Sequence, residues 1–131
     1  IDRLNQERND LMERLDEVLL AALGPAVNEE APLNSETAGA VIDRLAILAL
    51  KCYHMERESR RQEAGAGHCA RCRARLNVLR EQRRDLTRCL AELLEDARAG
   101  RRRFRLYRQF KMYNDPELNP ELRRRPQDER K

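Results

Sequence analysis

Tryptophan is missing from this chain, and only five of its residues are aromatic. Any core must therefore be aliphatic, built from Leu, Ile, Val and Ala, and modest in size. No apolar run approaches the roughly 18 residues that a membrane-spanning helix needs. No signal-peptide pattern opens the sequence. Serine is nearly absent too: Ser35 and Ser59 are the only two. Neither lies in the sharp turn that presents a hydrolase nucleophile, and no nucleophile–base arrangement can be named. There are four cysteines, and Cys52, Cys69, Cys72 and Cys89 sit within helical patterns. They read as reduced thiols of a cytoplasmic protein, not as a disulfide framework.

Charge is what the chain has in abundance. Asp, Glu, Lys and Arg make up 38% of it, above the usual share of about a quarter. The net charge of +4 hides a division: residues 1–65 carry 8 basic and 13 acidic side chains, residues 66–131 carry 19 and 10. An acidic half can pack on a basic half, or the basic half can meet an anionic partner.

Hydrophobic periodicity predicts three helices. Residues 1–23 place Ile1, Leu4, Leu11, Leu15, Val18 and Ala22 at three- and four-residue intervals, and Gly24-Pro25 ends the pattern. A loop follows, with Asn34 or Ser35 as the cap of a second helix over about 36–63. That helix, AVIDRLAILALKCYHM at its centre, is apolar nearly all round, which marks a central position with neighbours on several sides. The third pattern starts near His68 and persists to Tyr113. A helix of that length is about 70 Å long, too long for one small domain. Either Gly100 bends it, or its far end projects to meet another chain. Asn114-Asp115-Pro116 stops the pattern. The expected architecture is an all-α antiparallel helical bundle with a long third helix, a single domain over 1–122, and a disordered basic tail over 123–131.

One helix is written twice. LNQERNDLMERLDEVLL (residues 4–20) and LREQRRDLTRCLAELLE (residues 79–95) share Leu4/Leu79, Arg8/Arg83, Asp10/Asp85, Leu11/Leu86, Leu15/Leu90, Glu17/Glu92 and Leu19/Leu94. The first and third helices are thus expected in equivalent positions against the second. Arg8 and Arg83 both interrupt an apolar stripe, where a guanidinium needs a partner. Asp43 on the second helix is such a partner, and Lys51 and His54 lie near the same face. The five residues Arg8, Asp43, Lys51, His54 and Arg83 form either a structural charge network or an interior pocket for an anionic small molecule.

Two further motifs bear on function. Phe104, Tyr107, Phe110 and Tyr113 are interleaved with arginines in RRRFRLYRQFKMYNDP. Such interleaving can bind single-stranded nucleic acid, but the helical spacing favours a packing stripe, here the interface of a homodimer. Cys69-x-x-Cys72 beside His68 is only half of a zinc site, with no second pair at ribbon spacing. No metal or cofactor is expected.

Taken in order, IDRLNQERNDL, NSETAGAVIDRLAILALKCYHM, LREQRRDL and GRRRFRLYRQFKMYNDPELNP resemble a bacterial family known as domain of unknown function 4254. The resemblance spans about residues 1–122. It implies an all-helical bacterial protein, with a further N-terminal stretch expected before Ile1, and an association with surface-polysaccharide synthesis. It supplies no activity. Arg8, Asp43, Lys51, His54 and Arg83 match the family's recurrent positions; the CxxC does not. Two functions are expected from these readings: a binding or assembly module, or an enzyme or sensor for a phosphorylated sugar or nucleotide.

Overall fold

A computed structural model describes residues 2–108, 117 and 120. Among them are three helices: α1 (Asp2–Leu23), α2 (Ala38–Ser59) and α3 (Ala66–Arg98). The fold is all-α. Helix α2 is central, with α3 packed along it and α1 crossing it on another side. Neighbours run antiparallel: Asp16 and Arg8 of α1 meet Gly39 and Asp43 of α2 in reverse order. Likewise the end of α2 meets the start of α3, through Glu58 and His68.

Local chemistry sets each boundary. Gly24, with φ of +33°, turns the chain out of α1 into a short 3-10 turn over Gly24–Ala26. The cap of α2 is Thr37, three residues beyond Asn34, the earlier of the two expected caps. Its hydroxyl accepts the Ala40 N–H at 3.1 Å. The Gly39 N–H, a second amide without an intrahelical acceptor, is taken by the buried Asp16 carboxylate at 2.7 Å. Negative charge is favoured at that end of a helix. Gly65, with φ of +94°, then makes the turn into α3.

The third helix ends at Arg98, fifteen residues before Tyr113. Gly100 takes the left-handed conformation, φ +75°, as helix-terminal glycines do. The Arg101 and Arg102 amides then both donate to the Asp96 carbonyl, at 2.8 and 3.3 Å. Past this turn the chain is extended and runs back along the loop before α2. The Asn34 amide donates to the Arg103 carbonyl (2.7 Å), and the Arg103 amide to the Pro32 carbonyl (3.1 Å). Arg103 Nε reaches the Ala31 carbonyl at 2.9 Å, while its Nη1 is buried with no acceptor among the described residues. We call residues 100–104 the strap.

The strap brings Phe104 into the core rather than onto a projecting helix. Phe104 is 3% exposed and packs with Ala38, Leu93 and Ala97, flanked by Leu19, Leu20, Leu23, Leu90 and Leu94. Its alternation with the exposed Arg105 is the period of extended chain, not of a helix. Phe110, Tyr113, the Asn114-Asp115-Pro116 stop and the 123–131 tail lie outside the described residues.

The two copies of the repeated helix do not use the same face. In α3, Leu79, Leu86 and Leu90 are half-buried. Their counterparts in α1, Leu4, Leu11 and Leu15, are 68%, 61% and 37% exposed, and Val18 beside them is 61% exposed. Helix α1 instead turns Met12, Asp16, Leu19, Leu20 and Leu23 inward. The expectation of equivalent positions is therefore corrected. The physical reason lies at Gly39: a Cβ built there would lie 2.6 Å from the Met12 carbonyl oxygen and 2.8 Å from Asp16 Oδ1. The missing side chain lets α1 come close along its Met12–Asp16 edge, which fixes its rotation and leaves the leucine stripe outside.

Candidate functional site

Of the five residues expected to line one pocket, the structure brings Arg8 and Asp43 together. Arg8 Nε pairs with Asp43 Oδ1 at 2.8 Å, the arginine side chain 50% exposed and the aspartate 11%. Arg8 thus leans off the outward stripe of α1 to close on α2. Lys51 is exposed on the wall of a different feature, the groove between α2 and α3. His54 is exposed and meets Tyr53 edge-on, ring centres 5.6 Å apart. Arg83 occupies a stripe position, yet it is exposed and makes no ion pair among the described residues. A long side chain can lie along an apolar seam and keep its head in water.

The groove between α2 and α3 encloses about 810 Å³. Val41, Ile47, Leu48, Leu86 and Leu93 line its floor. At one end stands the Arg44–Glu36 ion pair, 3.0 Å, and near it Arg102, held to Asp96 at 3.0 Å. Lys51 and Asp85 share its walls, and neither has an ion pair among the described residues. A smaller cavity of about 300 Å³ lies where α1 crosses α2, lined by Asn9, Met12, Asp16, Ser35, Thr37 and Tyr107. Tyr107 is 46% exposed there. Its neighbour Arg108 ties the chain after the strap to α1, reaching Glu17 at 2.8 Å and Glu13 at 3.4 Å.

GHCARC (residues 67–72) forms the first turns of α3, beside the end of α2. His68 Nε2 lies 2.9 Å from Glu58 Oε2 and 3.5 Å from Cys72 Sγ. Cys69 Sγ donates to the Arg61 carbonyl at 3.3 Å. One ring nitrogen faces both partners, so the cluster clamps two helix ends and is not a relay in which each nitrogen serves a different group. Among the described residues no group of three or more His, Cys, Asp or Glu side chains is arranged to hold a metal ion. The hydrogen bond from His68, with the neighbouring Arg61 guanidinium, holds the Glu58 carboxyl below its ordinary value of 4.5. The sign follows: a depressed carboxylate contributes stability above the unfolded value, lost as pH falls through the folded one. A carboxyl-resolved NMR titration should therefore find Glu58 still ionised when pH drops below 4.5, and His68→Ala should return it upward. Glu95, hydrogen-bonded to Arg98, is shifted in the same direction.

Sequence reasoning missed the surface that stands out most. Leu4, Leu11 and Val18 form an exposed strip on α1, with the less exposed Leu15 between them. In the heptad lettering of paired helices they fall on a and d positions: Leu4, Leu11 and Val18 at d, Leu15 at a. Periodicity identified the stripe but could not say which way it faced. A second apolar set on the same helix, Met12, Leu19, Leu20 and Leu23, was the available signal. Helix α2 adds two exposed apolar residues, Leu50 and Tyr53, at 61% and 55%.

These features define a small all-helical protein with an unpartnered helix face, an open groove and no recognisable catalytic set among the described residues. The chain belongs to the family described as "Protein of unknown function (DUF4254)", whose sequence profile matches residues 1–106. Comparison with curated proteins and with solved structures finds no match. No helix among the described residues is long and apolar enough to cross a membrane.

Proposed function

We propose that the chain is a binding and assembly module, docking other helices on the outward face of α1. One observation carries this reading: the apolar stripe that packs in α3 is exposed in α1 among the described residues. Apolar side chains grouped on one exposed face mark interaction surfaces far more than scattered ones do. The setting we propose is a bacterial cytoplasm, in the service of surface-polysaccharide synthesis, as the family resemblance implies. A photo-crosslinking residue in place of Leu11 should give a discrete crosslinked species in cells, and the same probe at Glu29, in the loop after α1, should not. Absence of any Leu11 adduct removes the reading.

A second reading is favoured by Lys51. It is a cation without an ion pair among the described residues, set beside the apolar floor of the α2/α3 groove. A phosphorylated sugar or nucleotide would place its phosphate on Lys51 and its apolar face on Leu48 and Leu86. A ligand at about a hundred times its Kd adds about 2.7 kcal/mol of stability. A thermal-shift screen of such compounds should give a hit that Lys51→Glu abolishes. A hit that survives Lys51→Glu, or no hit, excludes this groove as the anion site.

A further inference from the structure

We infer that the partner of α1 is the α1 of a second copy, packed antiparallel about a two-fold axis close to Leu11. This rests on the docking reading above and names its occupant.

The strip has the length and period of a helix-pairing seam. From Leu4 to Val18 it runs about 21 Å at 1.5 Å per residue, and its members recur with the seven-residue spacing of a paired helix. The chain shows that this stripe can pack on a helix, because the matching leucines of α3 do so against α2. Arg8, the one charged residue on the stripe, is drawn aside to Asp43 and leaves the seam apolar.

Charge on the flank chooses both partner and direction. Glu7 and Arg14 lie on the same side of the strip, seven residues apart. Arg14 makes no ion pair among the described residues, and Glu7 has only the exposed Arg3, at 3.4 Å. A two-fold axis perpendicular to both helices brings like flanks together with their order reversed. With its centre between Asp10 and Leu11, that axis sets Glu7 opposite Arg14 of the second copy and Leu4 within one residue of Val18 of the second copy. The same pair then forms twice by symmetry. A parallel arrangement would instead turn this flank toward the edge holding Met12 and Leu19, which are occupied within the chain. The surface is therefore self-complementary only when antiparallel. A seam this short falls at the weak end of protein interfaces, under about 1,200 Å², so the pairing is a reversible equilibrium.

Sedimentation equilibrium of the full chain tests this over about 5 to 500 µM, a range that spans the affinity of such weak interfaces. Wild type should pass from monomer to dimer across the range. Leu11→Asp should remain monomeric with unchanged helicity, since that side chain is exposed in the monomer. Glu7→Arg and Arg14→Glu should each weaken the dimer on the order of tenfold, because each puts two like-charge contacts in the seam. The double variant Glu7→Arg/Arg14→Glu should recover to within about threefold of wild type. A wild type that stays monomeric at every concentration overturns the pairing. So does a Leu11→Asp chain that still dimerises, or a double variant no better than the singles. If wild type is monomeric yet the Leu11 photo-probe captures a different protein in cells, α1 docks a foreign helix, and only the self-pairing falls.

Discussion

Phe104→Ala is expected to lower the melting temperature by about 10–20 °C. Truncating a buried Phe costs about 3–5 kcal/mol, and in a domain of this size each kcal/mol shifts the midpoint by about 3–5 °C. Phe104 joins the strap to all three helices, touching the Ala38, Leu93 and Ala97 cluster that Leu19, Leu20 and Leu23 flank. No other aromatic side chain among the described residues is so placed. Tyr107→Ala, three residues on and 46% exposed, should cost under about 1 kcal/mol. Equal losses at the two positions would mean that the strap does not deliver Phe104 to the core.

Gly39→Ala is the second large effect, a fall of about 10 °C from a loss of about 2–4 kcal/mol. The added methyl meets backbone, not a flexible side-chain tip: 2.6 Å from the Met12 carbonyl oxygen, with the Asp16 carboxylate 2.8 Å away. To relieve the contact α1 must lift off α2. That lengthens the 2.7 Å hydrogen bond from the Gly39 amide and strands the buried Asp16. Gly67→Ala is the control. It is also a helical glycine, but its new Cβ meets only the tip of Arg71, at 3.3 Å. It should be neutral or stabilising by up to about 1 kcal/mol. A Gly39→Ala chain that melts with wild type would show that the helix crossing does not depend on a bare backbone.

The helices were legible because they rest on local signals. Gly24-Pro25, the polar loop after it and the Gly65 turn each break a strong period, and the breaks fall where the glycines adopt positive φ. The all-helical class followed from the same signals. Two things were not legible. Gly100, at the head of a basic-aromatic run, reads either as a bend or as part of a helix that continues past it. The decision rests on two backbone hydrogen bonds to the 31–34 loop and on the strap's own turn, which are long-range or conformational facts. The rotation of α1 was hidden for a similar reason. A helix with leucines on one side and Met12, Leu19, Leu20 and Leu23 on another offers two faces, and Gly39, 23 residues past Asp16, selects between them. At the site, Arg8 with Asp43 was readable as a charge pair. The separation of Lys51, His54 and Arg83 was not, because stripe position alone does not say how far a neighbouring helix extends.

Thiol labelling at position 11 tests the central claim, that the leucine strip of α1 faces outward and is there to be covered. Leu11→Cys is placed in a Cys89→Ser background, since Cys89 is the exposed native cysteine and Cys52, Cys69 and Cys72 are buried. Its reaction rate with a maleimide is then followed against protein concentration. The account predicts a rate near that of a free thiol in dilute solution, falling several-fold as concentration rises and α1 is covered. A rate that is slow at every concentration would place the strip in the core, and one that is fast at every concentration would leave it without a partner of its own kind; either result contradicts the account.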